Sequence, residues 1–328
     1  FACHFIGITF SILSGSFFPL FFSTFFISFG NGMVEAAYNP MIADMYEENK
    51  ATMLNKFHVW FPGGLALGSL VAYFITAMDG TWQIKLAVMY IPLAIYGFLF
   101  WGQTFPKTAN EMDKASTSSN IKAIFTSPLY WFMLFCMVLT ATTELGTQSW
   151  VERILGNTGA QPLLILFLVT GLMAVGRYFA GPVIHRLNIP GVLWISSIIA
   201  LIAIYMLSTA TGGMVYVAAI MFAIGVCYFW PNMISFVAVY LPKTGALGMS
   251  LIGGVGMVGL SICQPIIGRW MDTERAKAVA SGLKGEVADL VAGQATLDNI
   301  AWFPAILVIA FGILYFMRNK YTNVQTNH

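Results

Sequence analysis

The chain is 328 residues long, 58% hydrophobic and only 9% charged, with a net charge of +2. Ordinary soluble domains carry about 25% charged residues, so a water-soluble fold is excluded, and the Lys and Arg residues are too few and scattered for a nucleic-acid-binding stripe. What remains is an all-α polytopic membrane protein, with the lipid bilayer as its solvent.

A crossing takes about 20 mainly apolar residues. On that rule the chain reads as ten spans: 1–17, 18–43, 57–78, 83–105, 128–148, 161–184, 191–210, 214–241, 244–270 and 300–317. Phe1 is not an initiating methionine and no charged n-region precedes the first apolar run, so the expectation is that the sequence starts inside a membrane segment. Lys50, Lys56, Lys107, Lys114, Lys122, Arg186, Lys243, Arg318 and Lys320 fall on the side of the C-terminus. The other side has Lys85, Arg153, Arg269, Arg275, Lys277 and Lys284. By the positive-inside rule both ends are expected in the cytoplasm.

Residues 107–127 mix Lys, Ser, Thr and Asn without apolar periodicity and read as a cytoplasmic linker. This divides the chain into a four-span part (1–105), a linker (106–127) and a six-span part (128–328). Within 269–299, Val279, Leu283, Val287 and Leu290 recur at spacings of four, four and three between charges, which predicts a surface amphipathic helix. Cys3, Cys136, Cys227 and Cys263 lie in apolar runs without C-x-x-C spacing. They read as small core residues rather than disulfides or metal ligands.

Glu35 and Glu144 are the carboxylates inside spans. An acidic residue at a helix centre costs about 2.5–3.5 kcal/mol on insertion scales, so each needs water, a partner or a proton. Asn31, Glu35 and Asn39 are four apart and share one helix face. We read this stripe as cavity-lining, with Glu35 coupling to protons and the two amides contacting substrate; an interhelical seam is the plainer reading. Thr140, Glu144 and Gln148 repeat the pattern, and there substrate contact and seam both stand.

Arg177 is the basic residue well inside a span. At 1.5 Å of rise per residue, Glu144 lies about 24 Å from the cytoplasmic start of its helix and Arg177 about 24 Å from the outer start of its own. The two are therefore expected at different depths, with Arg177 near the cytoplasmic gate in a gating or packing role. Tyr228, Trp230, Pro231 and Asn232 bring together rings, an amide and a kink, as a sugar site would, with core packing the competing reading for Trp230. Gln264, Asn55 and His58 are weaker candidates. Gly254-Val255-Gly256-Met257-Val258-Gly259 fits the G-x-G-x-x-G fingerprint, but inside an apolar span rather than between a strand and a helix. Its glycines read as points of close helix packing.

Four spans plus six would become six plus six with two more at the front. The stretch Gly30-Asn31-Gly32-Met33-Val34-Glu35-Ala36-Ala37-Tyr38-Asn39-Pro40 resembles the fourth-helix signature of the fucose permease branch of the major facilitator superfamily. Asn55-Lys56-Phe57-His58, followed by Gly63-Gly64, is similar to the start of that branch's helix five. Gly176-Arg177 and Gly181-Pro182-Val183-Ile184-His185-Arg186 resemble the superfamily's loop motif after helix eight, with His185 where the motif has Asp. Gly32 and Asn39 in span two match Gly225 and Asn232 in span eight in their separation, the trace a parallel repeat leaves. The resemblance implies twelve helices in two halves, sugar:proton symport, gating roles for Arg177, His185 and Arg186, and a second acidic residue on a helix not present here.

The reading that follows is a secondary active transporter for a small neutral solute, a monosaccharide above all, working by alternating access. H⁺ is the expected coupling ion, with Na⁺ as the alternative; no other cofactor is expected, and the protein is expected to be a monomer. A passive facilitator, a carrier of another neutral solute such as a nucleoside, and a non-transporting sensor on the same fold are the competing readings. An enzyme is not expected, since no nucleophile–base cluster or H-E-x-x-H pattern is present.

Overall fold

A computed structural model describes residues 1–106, 117–150 and 161–322. With no water in the hydrocarbon region, backbone groups must bond within their own segment, and the described residues form helices and no strand. In chain order they are α1 (Ala2–Leu13), α2 (Phe17–Met45), α3 (Lys50–Phe57), α4 (Trp60–Ala77), α5 (Trp82–Ala87), α6 (Tyr90–Phe100), α7 (Thr117–Thr126) and α8 (Pro128–Ala141). Then follow α9 (Pro162–Tyr178), α10 (Ala180–Thr209), α11 (Met214–Val226), α12 (Phe229–Tyr240), α13 (Gly245–Ala280), α14 (Gly285–Ile300), α15 (Trp302–Phe316) and α16 (Asn319–Thr322). Among the described residues eight helical stretches are long and apolar enough to cross a membrane, and two shorter apolar helices, Ala2–Leu13 and Pro162–Tyr178, join them. Every one of the expected spans overlaps at least one of these helices.

Several spans are broken where the site needs them to be. A π-turn, Thr142–Gly146, continues α8 and carries Glu144. Pro62 follows the break between α3 and α4, and Pro231 follows the break between α11 and α12. Proline has no N–H, so it leaves the carbonyl four residues earlier without its helical donor: that of His58 in the first case and of Cys227 in the second. A third bend falls inside α10 at Asn188, whose φ of 55° is left-handed.

The later helices interlock closely. A Cβ on Gly225 of α11 would come within 2.6 Å of the Ala200 backbone nitrogen, and one on Gly259 of α13 within 2.5 Å of the Val138 side chain. Small residues let these helices approach, as packing in lipid demands. The Gly254–Gly259 stretch lies in the middle of α13, as a helix rather than a nucleotide loop.

Two local expectations are corrected. The 269–299 segment is not one surface helix: α13 runs on to Ala280, turns at Gly282, and α14 packs back along it. Arg275 pairs with Asp289 across that turn. Val279 and Val287 are exposed, while Ala288, Ala292, Leu297 and Ile300 are buried. The small alanines are the face that closes against neighbours, which a search for large apolar residues overlooks. In the linker, 107–116 lie outside the described residues, but Thr117–Thr126 is helical. Asn120 and Ile124, one turn apart, are its buried face.

Candidate functional site

The polar groups at membrane depth converge on one closed circuit of hydrogen bonds. On α2, Asn39 donates Nδ2–H to Glu35 Oε2 at 3.5 Å. His58, just after α3, bonds through Nε2 to Asn39 Oδ1 at 3.0 Å. An amide oxygen only accepts, so Nε2 carries the hydrogen. The His58 carbonyl freed by Pro62 accepts from Arg177 Nη1 at 3.1 Å, and the Cys227 carbonyl freed by Pro231 accepts from Arg177 Nε at 2.6 Å. Arg177 Nη2 pairs with Glu144 Oε1 at 2.7 Å, both side chains being 1% exposed. Trp230 closes the loop, donating its backbone N–H to Glu144 Oε2 at 3.4 Å and its indole Nε1–H to Glu35 Oε2 at 3.3 Å.

The Arg177–Glu144 pair overturns the expectation that the two lie at different depths. Side chains lean toward the N-terminus of their own helix, so on antiparallel α8 and α9 a glutamate and an arginine lean toward each other. The π-turn also advances the chain less per residue than an α-helix, which lowers Glu144 further. Arg177 is therefore a central residue that reaches three ways, and its planar fork of donors suits that geometry.

The two carboxylates differ in their surroundings. Glu144 has a cation in contact; Glu35, half-buried, has only the neutral donors Asn39 and Trp230, and among the described residues no cation within ion-pair distance. Beside the circuit, Asn55 donates Nδ2–H to Asn232 Oδ1 at 3.2 Å and to the Ala51 carbonyl at 2.8 Å. Both asparagines are fully buried, and among the described residues Asn55 Oδ1 and Asn232 Nδ2 have no partner.

Of the other expected site residues, Asn31 is exposed and its Oδ1 bonds to His4 Nε2 at 3.1 Å. Gln148 does not join the circuit: it donates to Met173 Sδ at 3.2 Å and borders a small apolar pocket with Ile165, Val169 and Phe222. Tyr228 donates its hydroxyl to the Gly176 carbonyl at 3.0 Å, tying α12 to α9. Gln264 Oε1 accepts from Trp150 Nε1 at 2.6 Å. His185 and Arg186 are exposed at the start of α10. Of the residues expected at one site, Glu35, Asn39, Glu144 and Trp230 share the hydrogen-bonded circuit, Asn232 bonds to Asn55 outside it, and Gln148 stands apart. His4 is not among the residues expected from the sequence, although a histidine within an apolar run is signal enough. Its Nδ1 meets the Tyr96 hydroxyl at 2.7 Å.

Among the described residues eight helical stretches long and apolar enough to cross a membrane pack into one bundle, which defines an integral membrane protein. The chain belongs to the Major Facilitator Superfamily, whose sequence profile matches residues 1–262. Among curated protein sequences none matches. An asparagine-to-alanine variant of the E. coli fucose:proton symporter FucP is similar in structure, with a TM-score of 0.61 and 16% identity over 93% of this chain and 82% of that one. FucP in the outward conformation gives a TM-score of 0.65 at 15% identity over 93% of this chain and 81% of that one. A bacterial homologue of the human lysosomal transporter Spinster, inward-facing and unoccupied, gives 0.65 at 14% identity over 98% and 82%. Likeness at this level of identity establishes the fold.

Proposed function

We propose that the protein is a secondary active transporter that moves a small neutral solute of the monosaccharide class together with a proton, and that Glu35 carries the proton. One observation carries this reading: Glu35 is the membrane-depth carboxylate whose partners are all neutral, while the charge of Glu144 is matched by Arg177. An intramembrane carboxylate without a counter-cation is neutralised by binding a proton. The surrounding groups are amides, an indole and an imidazole, which recognise hydroxyls rather than anions. The superfamily fold and the likeness to a fucose:proton symporter support the same reading.

In this account the helices before residue 106 and those after residue 127 are the two halves that rock about the site, with Arg177 as the gate contact between them and His185 and Arg186 at the cytoplasmic end. The protein acts as a monomer in a bacterial inner membrane with its ends in the cytoplasm.

The test is uptake of a panel of radiolabelled monosaccharides into proteoliposomes, with and without a protonophore. Accumulation of one or more sugars above equilibrium, abolished by the protonophore, is the expected result. Equilibration without accumulation would make the protein a facilitator, and no flux of any sugar would remove the substrate class.

A further inference from the structure

Trp230 touches both membrane-depth carboxylates. It is the second residue of α12, where a backbone N–H has no acceptor within its own helix, and that N–H points to Glu144 Oε2 at 3.4 Å. Its indole N–H points to Glu35 Oε2 at 3.3 Å. The ring is 7% exposed and wedged against α13 where that helix has no side chains. A Cβ on Gly256 would lie 3.3 Å from Trp230 Cζ3, and one on Gly253 would lie 3.8 Å from both Glu35 Oε2 and Trp230 Cζ2. A ring packed and bonded this way is committed to the protein.

We propose that Trp230 is a positioning residue that transmits the charge state of Glu35 to the contact between the two sets of helices, rather than a ring reserved for stacking on solute. The proposal rests on the reading of Glu35 as the proton site. A bond from N–H to a carboxylate is roughly twice as strong as one to a neutral group, so loss of charge on Glu35 weakens the bond that Trp230 makes to it. Asn39 shares α2 with Glu35 and moves with it. Among the described residues Trp230 is the direct partner of Glu35 that belongs to the later helices. The other titratable or charged groups do not bond to Glu35: His58 bonds to Asn39, Glu144 to Trp230 and to Arg177, and His4 of α1 to Asn31, one turn before Glu35 on α2; α13 presents Gly253.

The readout is the distance between spin labels on Glu48→Cys and Lys243→Cys, both exposed sites, in protein whose four native cysteines are alanine, measured without solute from alkaline to acidic buffer. In the parent, acidification raises the long-distance population several-fold. Glu35→Gln and Trp230→Phe each make that population independent of pH, and combining them adds nothing. Trp230→Gln, whose amide N–H lies about as far along the side chain as the indole N–H, retains a pH response. A packing role would reverse the last two, sparing Phe and harming Gln. If Trp230→Phe responds to pH as the parent does, or Trp230→Gln is flat, Trp230 is not the transmitting residue while the reading of Glu35 stands. If the parent does not respond, or Glu35→Gln still does, both fall together. Should Trp230→Phe not fold, the Trp230→Gln response alone decides, retention supporting the proposal and a flat profile overturning it.

Discussion

Arg177 donates to the main-chain carbonyl of His58 at 3.1 Å, joining α9 to the break between α3 and α4. The carbonyl is open to it because Pro62, four residues on, has no N–H to offer. On its other side Arg177 pairs with Glu144. Breaking a buried ion pair by removing one partner costs about 3–5 kcal/mol, because a charge is left uncompensated, whereas replacing both with apolar groups is often close to neutral. Arg177→Met should therefore unfold far more readily in detergent than the parent. The double variant Arg177→Met with Glu144→Leu should recover most of the loss. Unfolding by denaturant gives the cycle, and an interaction term below about 0.5 kcal/mol would contradict the pairing.

The proline-freed carbonyl makes a second expectation. Pro62→Ala restores an N–H that competes with Arg177 for the His58 carbonyl, loosening the crossing contact without touching any charged group. Cys227, buried beside Arg177, should then react with maleimide several-fold faster, in protein where the other three cysteines are alanine. An unchanged rate would mean that the break does not depend on Pro62.

Close helix packing separates two glycines that look alike in sequence. A Cβ on Gly225 would meet the backbone of Ala200 at 2.6 Å, and backbone cannot swing aside. A Cβ on Gly254, inside α13, would have nothing within 4 Å. Gly225→Ala should lower the melting temperature of detergent-solubilised protein by several degrees. Gly254→Ala should leave it unchanged or raise it, since alanine is favoured over glycine in a helix by roughly 0.5–1 kcal/mol. Equal effects at the two positions would contradict the packing described.

The apolar helices are legible in the sequence because hydropathy over about 20 residues is a property of the chain alone. So is the face shared by Glu35 and Asn39, since four-residue spacing on a helix is local geometry. The Arg177–Glu144 pair is not, because straight-helix arithmetic takes no account of side chains leaning toward each other from antiparallel helices or of a π-turn. Pro62 and Pro231 announce two freed carbonyls in the sequence itself. That one arginine fills both is tertiary information, available only once α3, α9 and α11 are brought together. The helix Thr117–Thr126 is hidden because its buried face is a single pair, Asn120 and Ile124, too short to register as periodicity.

The central claim is that Glu35 loads and releases the coupling proton, and Glu35→Gln in proteoliposomes tests it most directly. Glutamine keeps the size of a protonated carboxyl and an oxygen that accepts from Trp230 Nε1–H, but it has no proton to release. Exchange of labelled for unlabelled sugar needs only the loaded carrier to reorient, whereas net accumulation also needs deprotonation and return. The account predicts that accumulation driven by an imposed pH gradient is lost while exchange continues at a rate comparable to the parent. Accumulation that persists with unchanged pH dependence would contradict it and move the coupling site away from Glu35.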